Sequence, residues 1–440
     1  MKSIQFWGLF GHFDYNITFC NEGLTILTGP NGFGKTTILR VIEALSKGQE
    51  GISYFENLDF RSIKLNMLNG SSFLIQKNDN QLMINRKPFF KSDFLDLYLK
   101  DVDQSFAKYL FRYERLLPAK ALRPYKSVEE ELRYLDLYKR KFNVIQDVIK
   151  DKENYLKHFV SDASAKKEFA LLEGFKEKVY FIHEQRLLKS IDEFRLLEEE
   201  NEDGEINQET IADLPENFKC QIRKVIRMYT NLSTKLDESY PRRLLNDDSI
   251  FSKEDFIKRF DTIQEYNNRL SEYGLSVKFV SLVPEFNEKY ARALKVYCDD
   301  IDQKYAVYKG LIKKLDLYTE IVNSRFRFKK CFINPDKGLV IKEGDNEIDL
   351  KQLSSGEKQT LVLFYELIFN IKKGMLILID EPEISLHIVW QERFIDDLKR
   401  IININDCTAI VATHSPQVIN NNWDLQVDLG GLYSAQLNHG

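Results

Sequence analysis

Four short stretches hold residue types at spacings suited to phosphate chemistry. Gly29-Pro30-Asn31-Gly32-Phe33-Gly34-Lys35-Thr36 follows the pattern GxxxxGK[ST] between an apolar run and a helix-forming one. Such glycines let a backbone wrap a phosphate, and the following helix turns its partly positive N-terminus toward the anion. Lys35 is expected to reach β- and γ-phosphates and the Thr36 hydroxyl to hold magnesium, with Pro30, Asn31, Gly32, Gly34 and Thr37 completing the cradle. A second stretch, Leu376-Ile377-Leu378-Ile379-Asp380-Glu381, delivers two carboxylates at the end of an apolar run. Asp380 would serve the metal through its water shell, and Glu381 would polarise an attacking water as general base.

Two further apolar runs end on polar candidates. Ile410-Val411-Ala412-Thr413-His414 places His414 for contact with a γ-phosphate. After Val179-Tyr180-Phe181-Ile182 comes Gln185, whose uncharged amide can bridge the metal's coordination sphere and the attacking water. The fourth stretch, Ser354-Ser355-Gly356-Glu357, opens an amphipathic helix and has two compatible readings. It is an anion cradle for the γ-phosphate of a nucleotide held by a second chain, or an N-cap in which Ser354 and Glu357 form a capping box.

The elements that must position these residues follow from local pattern. Branched and aromatic runs with glycine breaks give strands at 3–7, 15–19 and 24–29, and 71–85 reads as a hairpin turning at 78–80. Helical spacing dominates from 92 to 178 and again from about 216 to 323. Between them, 198–209 is an acidic run expected to be a solvated linker. Strands return at 325–350, and the last hundred residues alternate helix and strand, with a helix expected from about Ser385. Alternation of this kind builds a parallel sheet. The chain is thus expected to be α/β, with an N-terminal lobe part at 1–91, a peripheral helical region at 92–178, the Gln185 segment at 179–195, a helical insertion at 196–323 and the second lobe part at 324–440.

Bulk composition narrows the function classes. Sixty-three basic against sixty-seven acidic residues give a formal charge of -4, so no global cationic field points to nucleic acid or to an acidic membrane. Five cysteines without a CxxC pair argue against a zinc site or a disulfide framework, and no run approaches a membrane span. A soluble, cytoplasmic protein is expected.

Taken together and in order, these motifs resemble the ABC-class ATPase domains of the RecF, Rad50, chromosome-structuring and overcoming-lysogenization-defect families, a P-loop ATPase head with a mixed or parallel sheet. The resemblance implies ATP and Mg2+ as cofactors and a head-to-tail homodimer, with room for a higher assembly. It implies catalytic roles for Gln185, Glu381 and His414, and a trans signature at Ser354, Ser355, Gly356 and Glu357. His387 stands where transporter-type domains carry aspartate, and Glu357 where many signatures carry glutamine. Flanking motifs at 4–19, 236–245, 380–391 and 413–429 are similar to the ATPase subunits of Septu and retron-linked anti-phage systems. That narrower resemblance implies a separate HNH-type nuclease or other effector as partner, with DNA or retron nucleic acid as a further one.

Two other functions compete. A nuclease of the overcoming-lysogenization-defect type would need a Toprim domain. The DxD-like candidate nearest the end of the ATPase core, Asp300-Ile301-Asp302, sits in a helical stretch where a solvated face is the expected explanation. A RecF- or Rad50-like repair ATPase would need a cationic surface, for which Arg242 with Arg243, Lys329 with Lys330 and Lys372 with Lys373 are candidates, each otherwise an ordinary solvated pair.

Overall fold

The computed structural model describes residues 1–20, 22–78, 81–85, 87–88, 178–182, 210–246, 251–275 and 285–439. Gln185, the expected helical region from 92 to 177 and the acidic run at 198–209 lie outside them. The fold is α/β, and the chain divides into two compact units: Met1–Tyr180 with Val427–Gly440, and Phe181–Gln426.

In the first unit β1 (Ser3–Leu9), β2 (Phe13–Thr18), β4 (Ser62–Asn66), β5 (Ser72–Asn78), β6 (Gln81–Ile84) and β7 (Lys87–Pro88) form an antiparallel sheet in the order β2-β1-β4-β5-β6-β7. Strand β2 buries Tyr15 and Ile17 and exposes Asp14, Asn16 and Thr18, the period of two that puts one face on a core. Its register with β1 sets Ile17 opposite Ile4 and Tyr15 opposite Phe6. The β5–β6 hairpin pairs Asn78 with Gln81, as the sequence suggests. By contrast β3 (Leu24–Thr28) is buried at every residue, the pattern of a strand covered on both faces. Helix α1 (Lys35–Ser46) follows it and buries Ile38, Leu39, Ile42 and Leu45 at helical spacing.

Strand β8 (Val179–Ile182) runs from the first unit into the second, which holds among the described residues three long helices, α2 (Leu214–Asn246), α3 (Lys253–Glu272) and α4 (Ala291–Arg325). Helix α4 packs against both others; Leu311, Leu315, Tyr318 and Val322 form one buried stripe, and Cys298 meets Phe256 and Ile263 of α3. A charged contact on α4 corrects the solvated reading of Asp300. Asp300 is 7% exposed and takes both guanidinium nitrogens of Arg243, one at 2.9 Å. Asp302 pairs with Arg259, which also holds Asp299 at 2.6 Å. The flanking helices bring the arginines, so these carboxylates serve helix packing.

Strands β9 (Lys329–Asn334), β10 (Gly338–Glu343) and β11 (Asn346–Ile348) form an antiparallel sheet. Gly338, at φ +72°, lies so close to α2 that a Cβ there would stand 1.9 Å from the Pro215 carbonyl oxygen. Helix α5 (Ser355–Tyr365) widens into a π-turn at Glu366–Asn370, whose freed carbonyls are met by Asn405 Nδ2 at 3.2 Å to Leu367 and 3.3 Å to Ile368. Strand β12 (Leu376–Asp380) pairs in parallel with β13 (Thr408–Ala412). Between them the expected single helix from Ser385 is three pieces: a 3₁₀ turn at Pro382–Ser385, a four-residue helix at Ile388–Gln391, and α6 (Phe394–Asn405). His387 makes the break, with extended backbone and its Nδ1 accepting the Val389 N–H at 3.4 Å. Among the described residues no helix is long and apolar enough to cross a membrane.

Candidate functional site

The glycine loop of the first unit runs from β3 to α1. Gly29, Gly32 and Gly34 stand at φ +149°, +85° and +84°, and Gly34 is the N-cap of α1. A side chain at Gly34 would also press on Leu9 at 3.3 Å, and one at Gly29 on Leu429 at 3.2 Å, so both positions require glycine. Lys35 is only 5% exposed; its ammonium folds back over the loop, donating to the Gly29 carbonyl at 2.8 Å and the Pro30 carbonyl at 3.3 Å. Asn31 and Gly32 at the crest are exposed, Thr36 and Thr37 half-buried, and Thr37 shares a side-chain hydrogen bond with Tyr54.

Residues the motif does not contain hold this loop. The Tyr15 hydroxyl donates to the Phe33 carbonyl at 3.1 Å, and burial, with Tyr433 nearby, pushes its phenol well above the ordinary range, which keeps it a donor. The Phe33 ring lies 5.2 Å from Phe13 and 5.9 Å from Tyr433 of the C-terminal helix Leu429–His439. Sequence reading missed all three supports, and no local signal marks Tyr433.

In the second unit the carboxylates and the histidine meet at the ends of β12 and β13. Asp380 is 7% exposed and lies opposite Ala412. One residue on, Glu381 donates its N–H to the Ala412 carbonyl at 2.9 Å while turning to φ +44°, ψ +60°. A left-handed glutamate costs about 1 kcal/mol or more, and such strain gathers where a side chain must be aimed. His414 Nδ1 stands 3.6 Å from Glu381 Oε1, so two of the expected site residues are neighbours.

A third carboxylate, unforeseen in the sequence, organises that corner. Glu383 Oε1 accepts the Thr413 hydroxyl at 2.6 Å and the backbone N–H groups of His414 at 2.9 Å and Ser415 at 3.2 Å. It also lies 3.1 Å from His414 Nδ1. Gln391 staples the same turn, donating to the carbonyls of Glu383 and Leu386 at 3.2 and 3.0 Å and accepting the Ser415 hydroxyl at 2.8 Å. The available signal was the acid two residues beyond Glu381.

At the start of α5 the capping box is present. Ser354 Oγ accepts the Glu357 N–H at 3.3 Å, and Glu357 Oε2 accepts the Ser354 N–H at 2.9 Å and its hydroxyl at 3.0 Å. Lys329 of β9 adds its ammonium to both Glu357 oxygens at 3.0 and 2.9 Å. Burial alone would raise the Glu357 carboxyl; the bonds from Lys329 and Ser354 outweigh it and hold the group below its ordinary value. Ser354 and Ser355 stay exposed, and a Cβ on Gly356 would meet nothing within 4 Å, so the turn keeps an open face. Lys329 is therefore not a solvated charge, nor is Arg243 on Asp300, and Lys373 pairs with Asp406 at 2.8 Å.

The profile of the AAA ATPase domain family matches residues 10–419. The chain belongs to that family. As an AAA ATPase it is 26% identical over 134 residues to protein ea59 of Escherichia phage lambda, spanning 28% of this chain and 26% of that one. It is 40% identical over 57 residues to LivG, a probable branched-chain amino acid transport ATP-binding protein of Methanocaldococcus jannaschii, spanning 13% of this chain and 22% of that one. It is 35% identical over 63 residues to the cytochrome c biogenesis ATP-binding export protein CcmA of Rickettsia conorii, spanning 14% and 31%. The chain thus covers less than a third of the length of each of these relatives. Among solved structures it is similar to the Smc head domain bound to the C-terminal domain of ScpA from Pyrococcus furiosus, at TM-score 0.35 and 13% identity over 95% of this chain and 90% of that one. A similar match is the SMC head domain of Thermotoga maritima, at TM-score 0.34, 12% identity and the same shares.

Proposed function

We propose that this ATPase binds ATP with magnesium through Pro30, Asn31, Gly32, Gly34, Lys35, Thr36 and Thr37, and that Glu381 is its general base. The observation that carries the reading is the glycine loop, whose three positive-φ glycines and buried lysine build a phosphate cradle. Thr36 and the buried Asp380 carboxylate would hold Mg2+, an all-oxygen donor set suited to a hard cation. When bound, Mg2+ offsets charge on the phosphates. Glu381 takes a proton from water as the water oxygen attacks the γ-phosphorus and the bond to the β-phosphate oxygen breaks, leaving ADP and phosphate. His414 would contact the γ-phosphate, and Gln185 would orient the attacking water.

In this reading Ser354, Ser355, Gly356 and Glu357 close the nucleotide of a second copy, giving a head-to-tail homodimer. Exposed Ile384, Ile388 and Val389, close after Glu381 in the chain, support an interface there. The biological output belongs to a partner, an HNH-type nuclease of an anti-phage system that ATP regulates. The flanking motifs support this, and the carboxylates that occupy Arg243 and Lys329 favour a protein partner over a DNA track.

Nucleotide binding and single-turnover hydrolysis, measured separately, test the assignment. Lys35→Ala is expected to lose ATP binding. Glu381→Gln should keep ATP and slow hydrolysis by about 100-fold or more. Normal hydrolysis by Glu381→Gln would remove Glu381 as the base, and normal binding by Lys35→Ala would remove the cradle.

A further inference from the structure

Glu383 lies outside the roles assigned above, yet its side chain is 6% exposed and is wrapped by the loop that carries His414. One oxygen takes everything: the Thr413 hydroxyl, two successive N–H groups, and the approach of His414 Nδ1 at 3.1 Å. The other oxygen, Oε2, is buried and has no hydrogen-bond partner among the described residues. A carboxylate needed only to tie down a loop would gain by sharing its donors between both oxygens. Crowding them on Oε1 fixes the loop backbone and the ring relative to the same atom. A carboxylate beside one ring nitrogen of a histidine favours the proton there and sets which nitrogen is left for other work.

We propose that Glu383 is the positioning residue for His414, fixing the Thr413–Ser415 loop and keeping the proton on Nδ1 so that Nε2 is the nitrogen offered to substrate. The proposal rests on the reading of His414 as a γ-phosphate contact only for its consequence in turnover; the proton's place on the ring is independent of it. Glu381, at 3.6 Å from the same Nδ1, is the second carboxylate facing the ring and reinforces the same tautomer. Gln391 holds the backbone of the Glu383 turn and Ser415 together, so the carboxylate and the loop move as one piece.

The test is nitrogen NMR of histidine-labelled full-length chain, with the His414 signals assigned by their loss in His414→Asn, beside ATP binding and turnover. In spectra of the neutral ring, wild-type His414 is expected to carry its proton on Nδ1. Glu383→Ala should move the proton to Nε2 or mix the two forms, and Glu383→Asp should restore Nδ1 in part. Turnover by Glu383→Ala should fall by about 10- to 100-fold with ATP affinity unchanged. Thr413→Val, which removes one loop anchor and leaves the carboxylate, should keep the tautomer. An Nδ1-protonated His414 in folded Glu383→Ala, or Nε2 protonation in wild type, would overturn the proposal. If Glu383→Ala does not fold, the wild-type tautomer and Glu383→Asp still decide it. Should the tautomer follow Glu383 while His414→Asn hydrolyses ATP normally, the histidine's assigned role fails and the positioning stands.

Discussion

Single residues that belong to a spaced motif are easier to read from the sequence than the residues that hold them in place. Lys35, Glu381 and His414 stand out as candidates because their motifs occur together and in order, whereas Tyr15, Tyr433 and Glu383 became visible only once the fold brought distant segments together. Asp300 illustrates the reverse error. An acid in a helix reads as solvated, but Arg243 lies 57 positions away in sequence and meets it across two helices. Asp300→Ala should therefore strand a partly buried arginine and cost about 3 kcal/mol, read as a lower urea midpoint. A surface-like loss under about 0.5 kcal/mol would mean the pair contributes nothing.

The elements were legible where periodicity is plain, as in the 72–84 hairpin and the buried β12, and misread where a local bond competes with it. The break at His387 is such a case, since the side chain accepts a backbone N–H that a continuous helix would use. Glu357 governs the entry of α5. Its folded carboxyl is held low by Lys329 and Ser354, so its contribution is complete above the unfolded value of about 4.3 and fades as pH falls through the folded one. Glu357→Gln should cost about 1 kcal/mol at neutral pH, and urea titrations below pH 4 should show that gap narrowing. A gap independent of pH would contradict the ion-paired cap. Gly338 links β10 to α2 by close approach, and Gly338→Ala is expected to destabilise by more than about 2 kcal/mol, from strain at φ +72° and contact with the Pro215 carbonyl. Unchanged thermal unfolding would show that the strand can shift at little cost.

For the whole molecule, the proposed site residues fall in both compact units, the glycine loop in one and Asp380, Glu381, His414 and the Ser354 turn in the other. The α/β class was legible from the alternation of apolar runs; the assignment of the last fourteen residues to the first unit was not, because it depends on packing of the C-terminal helix near Gly29. In the proposed homodimer, two copies complete each other's ATP sites. Ser354→Arg and Lys35→Ala, each inactive alone, would be mixed in equal amounts and assayed for steady-state ATP hydrolysis. A mixed dimer holds one site with both lesions and one with neither, so roughly a quarter of the wild-type rate is expected for random pairing of independent sites. A mixture as inactive as its components would contradict it.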